Sequence, residues 1–232
     1  MSAMDDGNTI EEDTAVTKTE NKSESKANGK ASGISAQVNQ AEAPVINMRG
    51  AKVGLGPLTR AAIPAMSRWE NDFAVTVWSG DAFEPRSREE AEADYDRRTK
   101  SERRNWHGFM IYELATMRHI GDCHLRGIDF VHGTAEMGIM IGEPDCWGKG
   151  YGTEAVILLL DFAFTALNLH NVMLDTSSYN ERALGAYRRA GFREIGRRRE
   201  SKRIGGISYD VIFMDCLATE FKSPYPPVVR VR

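Results

Sequence analysis

Hydrophobic positions between residues 106 and 141 recur at about every second residue, and beyond Gly152 they recur at a period of about 3.6. The first regime predicts three strands in succession: 106–114, 117–129 with a break at Gly121, and 135–141. Their separators, 116–118 and 132–133 among them, are short, which favours an antiparallel meander. Upstream, 53–59 reads as a strand, 61–70 as a helix and 73–78 as an extended piece. Ser87 followed three residues later by Glu90 has the form of a capping box, opening a charged helix that runs to about Arg103.

In the second regime Glu154, Asp161, Thr165 and Asn168 share one narrow polar stripe, while Val156, Leu159, Leu160, Ala163 and Leu167 fill the remainder. A helix with so little polar surface is largely buried. Residues 172–176 then read as a buried strand, parallel to 135–141 if the helix crosses over. A further helix covers 181–190, with Asn180 as N-cap, Ala183, Leu184, Tyr187 and Ala190 as inner face, and Gly191 as its stop. The segments 193–199 and 207–217 around Gly205-Gly206 form a closing hairpin. Together these elements predict one α/β domain over 47–222.

The flanks differ in composition. Residues 1–46 are rich in Ser, Thr, Asn, Lys, Glu and Ala, with no aromatic residue and no apolar period, and read as a disordered N-terminal extension. Residues 223–232, with Pro224, Pro226 and Pro227, read as an irregular tail.

A formal net charge of −3 argues against a polybasic nucleic-acid binder and leaves acidic and cationic small substrates both open. Cys123, Cys146 and Cys216 have no paired short spacing, so neither a disulfide framework nor a zinc cluster is expected, and a reducing compartment fits. Acids at Asp5, Asp6, Glu11, Glu12 and Asp13 stand where a secretory signal would be basic and then apolar. The apolar run 155–160 ends at Asp161, far short of a bilayer span. The expectation is a cytoplasmic protein without membrane contact.

The chemistry concentrates in Trp147-Gly148-Lys149-Gly150-Tyr151-Gly152-Thr153, between a strand and the long helix. Alternate glycines let the backbone turn tightly and leave its N–H groups uncovered at a helix N-terminus, where the dipole favours an anion. This is the pattern of a pyrophosphate cradle, although a purely structural strand-to-helix turn also uses glycine. A P-loop is excluded by the missing Gly-Lys-Ser/Thr ending. A dinucleotide fingerprint is excluded because a meander precedes the turn instead of a βαβ unit.

At this segment the chain resembles the GNAT superfamily of acetyltransferases, and within it the RimJ/RimL-type protein N-acetyltransferases and related polyamine and antibiotic acetyltransferases. The family loop has the form Gln/Arg-x-x-Gly-x-Gly/Ala; Gly150 and Gly152 match its small positions, and Trp147 departs from its first. A second block, Asn180-Glu181-Arg182-Ala183 through Tyr187-Arg188-Arg189-Ala190-Gly191-Phe192, resembles the family's Asn-x-x-Ala-x-x-x-Tyr-x-x-x-Gly-Phe segment. The resemblance extends over roughly 50–220 in the order of elements and over 140–195 in motif detail.

It implies a mixed, mostly antiparallel central sheet flanked by helices and splayed between 135–141 and 172–176, with acetyl-CoA as cosubstrate and no metal. The pantetheine arm would lie along the backbone of Ile139, Met140 and Ile141. Trp147, Gly148, Lys149, Gly150, Tyr151, Gly152 and Thr153 would hold the pyrophosphate, and Asn180 would meet the pantetheine region. The partner implied is an amine-bearing substrate, either a peptide N-terminus or a small amine such as a polyamine or an aminoglycoside-like antibiotic. A homodimer is an open option, and a non-catalytic acetyl-CoA-binding module is the alternative to an enzyme.

In the mechanism the resemblance implies, the amine attacks the thioester directly. An alkylamine of pKa about 10 must lose a proton first, and Glu136, on the strand leading to the opening, is the candidate base or an ordinary surface glutamate. Tyr187 is the candidate acid for the departing thiolate, or a core tyrosine. Cys146 adjoins the loop but has no His–Asp partner readable in sequence. His119 and His124 fall on opposite faces of one strand, which disfavours a shared metal. Arg197, Arg198, Arg199, Lys202 and Arg203 suit either an anion or a solvated hairpin.

Overall fold

The computed structural model describes residues 43–79, 83–100 and 105–229. All but the last residues of the expected N-terminal extension lie outside this range, as do 101–103 of the charged helix and 230–232 of the tail. The chain forms β1 (Met48–Arg49), β2 (Val53–Pro57), α1 (Ile63–Glu70), α2 (Phe73–Ser79), α3 (Arg88–Thr99), β3 (Trp106–Glu113), β4 (Arg118–Asp129), β5 (Thr134–Ile141), α4 (Tyr151–Asp161), β6 (Asn171–Ser177), α5 (Glu181–Ala190), β7 (Arg193–Ile204) and β8 (Ile207–Leu217). Among the described residues eight strands make one sheet in the order β1-β2-β3-β4-β5-β6-β8-β7, antiparallel throughout except where β5 meets β6. This is the mixed, mostly antiparallel α/β architecture expected.

Strand alternation divides the core. Ile111 of β3 packs with Leu159 and Leu160 of α4 in the main core, while its neighbours Met110 and Tyr112 turn to the other face and pack with Ala62 and Met66 at the start of α1. The break expected at Gly121 is a bulge within one continuous strand: Ile111 pairs with Gly121 and Tyr112 with His119. A Cβ on Gly121 would stand 2.2 Å from the Met140 carbonyl oxygen, so close strand approach requires glycine there.

One expectation is corrected. Residues 73–78 are helical, because the Asp72 carboxylate accepts from the Ala74 N–H at 2.9 Å and the Asp72 carbonyl accepts from Val75 and Thr76. That cap and tertiary docking override the extended preference of Val75, Thr76 and Val77. Of the polar stripe, Glu154 and Asp161 lie in α4 and are buried, while Thr165 is half-buried and Asn168 exposed. The Glu154 carboxylate accepts from the Lys52 N–H at 2.8 Å, anchoring the β1–β2 turn. Asp161 accepts from the Val228 N–H at 2.6 Å, anchoring the C-terminal segment, whose backbone is irregular but whose Tyr225 and Val228 pack on the core.

The capping box of α3 forms as read, with Ser87 and Glu90 bonded reciprocally. Asn180 caps α5, and Gly191 ends it at φ 108°. Gly205 and Gly206, both at positive φ, make the two-residue turn of the β7–β8 hairpin, and β7 runs five residues past the expected Arg199. No described helix is long and apolar enough to cross a membrane.

Candidate active site

Pairing between β5 and β6 lasts only from Thr134↔Asn171 to Glu136↔Met173. Beyond that point β5 stays bonded to β4 and β6 to β8, so the sheet parts into a slit. A cleft of about 490 Å³ occupies this opening, lined by Ile139 and Ile141 on one side, Ala183 and Tyr187 on the other, and the glycine turn. Gly142 donates to Ile120 of β4, so by alternation Ile139 and Ile141 turn their amide groups toward the slit and Met140 turns its own into β4. Of the Ile141 pair the carbonyl is already engaged, accepting from the Trp147 indole at 2.7 Å.

The glycine turn delivers the chain into α4. Gly148 and Gly150 adopt φ 75° and 86°, and Gly150, as N-cap, brings no capping side chain. The first-turn N–H groups of an eleven-residue helix therefore face the cleft end without an intrahelical acceptor. Open space surrounds the missing Cβ of Gly148, and the nearest atom to that of Gly150 is the Lys52 ammonium at 3.7 Å. Lys52 donates to the Lys149 carbonyl at 3.1 Å, so a cation from the β1–β2 turn stands over the cradle. Sequence reading missed Lys52 because it lies 97 residues from that loop; only the Glu154 anchor brings it there.

The remaining expected cofactor contacts separate into two kinds. Gly152 and Thr153 lie in the first turn of α4 and, with Lys149, line the cleft. Tyr151 lines it too, but its phenol donates to Glu113 at 2.6 Å, a bond that raises it to about 12. The Asn180 amide is committed at both ends: its oxygen accepts from the Ala183 N–H at 3.2 Å, and its nitrogen donates to the Trp78 carbonyl at 2.9 Å. Asn180 thus fixes α2 against α5 and forms cleft wall. On the same wall the Arg182 guanidinium lies 4.1 Å from the Trp147 ring centre and 5.2 Å from that of Trp78.

Tyr187 reaches the slit from the helix side, 9% exposed. Burial, with the Asp175 charge adding to it, pushes its phenol up to about 12. Glu136 stands on the opposite face and is held in an ion pair by Arg126. The same face carries His124, whose ring lies where a Gly138 Cβ would be, 2.5 Å from that position, and stacks on Trp106. Contrary to the expected opposite faces, the bulge at Gly121 puts His119 on this face too, opposite Tyr112 as His124 is opposite Gly108, but apart from His124: it packs on Trp69 with its ring nitrogen 2.9 Å from the Gly121 carbonyl, and burial lowers its pKa to about 4. Cys146 is buried at the cleft, and burial and Asp145 push its thiol up. Among the described residues no group of three or more His, Cys, Asp or Glu side chains is placed to hold a metal ion.

A slit through a sheet, ending on a helix N-terminus with a lysine over it, has the shape and charge to suit an extended ligand with an anionic end. The acetyltransferase (GNAT) domain family model matches residues 52–193, and the chain belongs to that family. It is 34% identical over 111 residues to the spermidine N(1)-acetyltransferase of Vibrio cholerae, and 32% identical over 113 residues to the N-acetyltransferase p20 of Bacillus licheniformis. These matches cover 48% and 49% of the chain, and 64% and 63% of the relatives' own lengths. The crystal structure of the Vibrio cholerae spermidine N-acetyltransferase in complex with CoA and spermine superposes with a TM-score of 0.67 at 27% identity, covering 74% of this chain and 98% of that one.

Proposed function

We propose that this chain is an acetyl-CoA-dependent N-acetyltransferase that moves the acetyl group to a primary amine by direct attack in a ternary complex. The observation that carries this reading is the parting of β5 from β6 after Glu136↔Met173, directly beside the cradle of Gly148–Thr153. Pantetheine laid in the slit would meet the Ile139 amide groups and the Ile141 N–H as a strand would. The pyrophosphate would rest on the α4 N-terminus under Lys52.

Direct attack is favoured over an acetyl-cysteine relay because the nucleophile of such a relay is the thiolate, and the buried Cys146 thiol is held protonated. Tyr187 at about 12 is a weaker acid than a CoA thiol of about 8.5, so it acts by donating a hydrogen bond to the departing sulfur. The proton lost from nitrogen as the amide forms then completes the thiol. A tyrosine retained at this point argues against a non-catalytic binding module.

For the acceptor, a polyamine is the first reading. The Vibrio cholerae relative is a spermidine N(1)-acetyltransferase, and the face opposite Tyr187 presents carboxylates at Glu136 and Asp175 beside the Trp106 and His124 rings, a setting that attracts an alkylammonium. A peptide N-terminus, the RimJ/RimL-type reading, is second; the exposed arginines Arg198 and Arg199 of β7 would favour an acidic one.

Purified protein with acetyl-CoA and a panel of spermidine, spermine, aminoglycosides and peptides tests this, read by CoA-thiol release and product mass. Spermidine-dependent release with one acetyl added is expected. Acetyl-CoA binding without transfer to any amine would leave only the binding module, and absence of binding would remove the reading.

A further inference from the structure

Resting on that reading, the geometry assigns a catalytic group it has not used: we propose that Asp175, and not Glu136, is the carboxylate that takes the proton from the acceptor amine. Strand register gives its place. Glu136 and Met173 are the last paired residues of β5 and β6, and paired residues share a face. Asp175, two residues further along β6, is therefore the first side chain on the acceptor face beyond the point where the sheet opens. Its neighbours Leu174 and Val172 point the other way, into the main core.

Across the slit at that level β5 carries Gly138, so no β5 side chain fills the space, and the His124 ring lies against that glycine. Tyr187 approaches the same opening from the helix side, close enough for the Asp175 charge to act on its phenol. A thioester in the slit would thus have a phenol on one face and the Asp175 carboxylate on the other.

Glu136 is less suited to the task. Its carboxylate is already engaged by the Arg126 guanidinium in an ion pair, and it lies where β5 and β6 are still paired, short of the opening. Asp175 shares its face with Glu136 on β5, Arg126 and His124 on β4, Lys202 on β7 and Asp215 on β8, and meets Tyr187 of α5 only through the slit. Although solvent reaches Asp175, desolvation by the surrounding protein and the Glu136 charge outweigh Arg126 and Lys202 and leave its carboxyl above the ordinary carboxylate value.

The step balances without a further reagent. The ammonium gives one proton to Asp175, which passes it to solvent; the nitrogen lone pair forms the bond to the acyl carbon; the C–S bond breaks with its electron pair on sulfur. The second proton leaves nitrogen as the amide forms and ends on sulfur by way of Tyr187.

The test uses the full chain, with acetyl-CoA and spermidine, or the panel amine that wild type acetylates best. Asp175→Asn should lower kcat about 100-fold, keep the acetyl-CoA Kd within about twofold, and move the acidic limb of kcat/KM from the carboxyl range up to that of the amine itself, about 10. The deficit should shrink as the pH approaches about 10, where the amine arrives already deprotonated. Glu136→Gln should instead raise the acceptor KM and change kcat by no more than about threefold.

Wild-type turnover together with an Asp175→Asn variant that keeps both kcat and the acidic limb would overturn the assignment while leaving the acetyltransferase reading intact. A 100-fold loss confined to Glu136→Gln would return the role to Glu136. A wild type that acetylates no amine overturns both.

Discussion

The Trp147 indole donates to the Ile141 carbonyl at 2.7 Å, tying the anion loop to the lip of the slit at the position where the family pattern has Gln or Arg. Trp147→Phe keeps a ring beside Arg182 but leaves Ile141 without that donor. The expected result is roughly tenfold weaker acetyl-CoA binding, about 1.4 kcal/mol, with kcat little changed. Titration calorimetry with acetyl-CoA reads it, and an unaltered Kd would mean that the bond does not hold the loop.

Tyr187→Phe preserves the ring that packs 6.0 Å from Phe192 and deletes only the hydroxyl. Turnover should fall about 100-fold with cofactor affinity unchanged. Because the wild-type phenol sits at about 12, it stays protonated at every working pH and should add no alkaline limb below about pH 11. Equal kcat in the variant would make Tyr187 a core residue.

Lys52→Ala removes the cation over Gly150 without touching the Lys52 N–H that Glu154 holds. Acetyl-CoA binding should weaken roughly fivefold at low ionic strength and by less at high salt, where such a contact is screened. Gly150→Asp acts at the same place by strain at φ 86° and by charge repulsion, and should weaken binding at least about tenfold. A folded Gly150→Asp protein with wild-type affinity would dislodge the cradle.

His119, lowered to about 4, stays neutral in the fold while an unfolded histidine of about 6.5 gains a proton. The unfolded state therefore binds more protons between those values, and the contribution of His119 to stability, present above about 6.5, is lost as pH falls toward 4. The full effect is at most about 3 kcal/mol. His119→Gln should flatten the denaturation midpoint between pH 6.5 and 4 relative to wild type; parallel profiles would show that another group sets the acid sensitivity.

Asp161 has the opposite sign. Burial raises its carboxyl, so the folded state prefers it protonated, and its contribution, present at low pH, is lost as pH rises through the folded value. Asp161→Asn retains an acceptor for the Val228 N–H and removes the buried charge. It should raise the melting temperature at pH 7 and leave it unchanged near pH 3; a lower value at pH 7 would mean that the charge strengthens the tail anchor by more than its burial costs.

The elements most legible in the sequence were those governed by a local rule. Ser87 and Glu90, Asn180 and Gly191, and Gly205-Gly206 each satisfy backbone groups within a few residues, so their chemistry can be read without the fold. The meander and the crossover to β6 followed from period and separator length. Where a distant partner decides, the string is silent or misleading. Residues 73–78 have an extended composition, yet they fold as a helix whose last carbonyls accept from Tyr179 and Asn180, more than a hundred residues away.

The same division holds at the site. By itself the sequence determined that a glycine turn would present bare N–H groups at a helix N-terminus, because positive φ and missing Cβ atoms are properties of those residues alone. Only the tertiary structure decided which groups meet there. It sets the Lys52 ammonium over the loop through a buried Glu154, spends the Ile141 carbonyl and the Asn180 amide on internal bonds, gives Glu136 to Arg126, and brings Asp175 to the opening. Cross-strand register and long-range hydrogen bonds fix these placements, and both depend on how β5, β6 and α4 pack together, which no local pattern encodes.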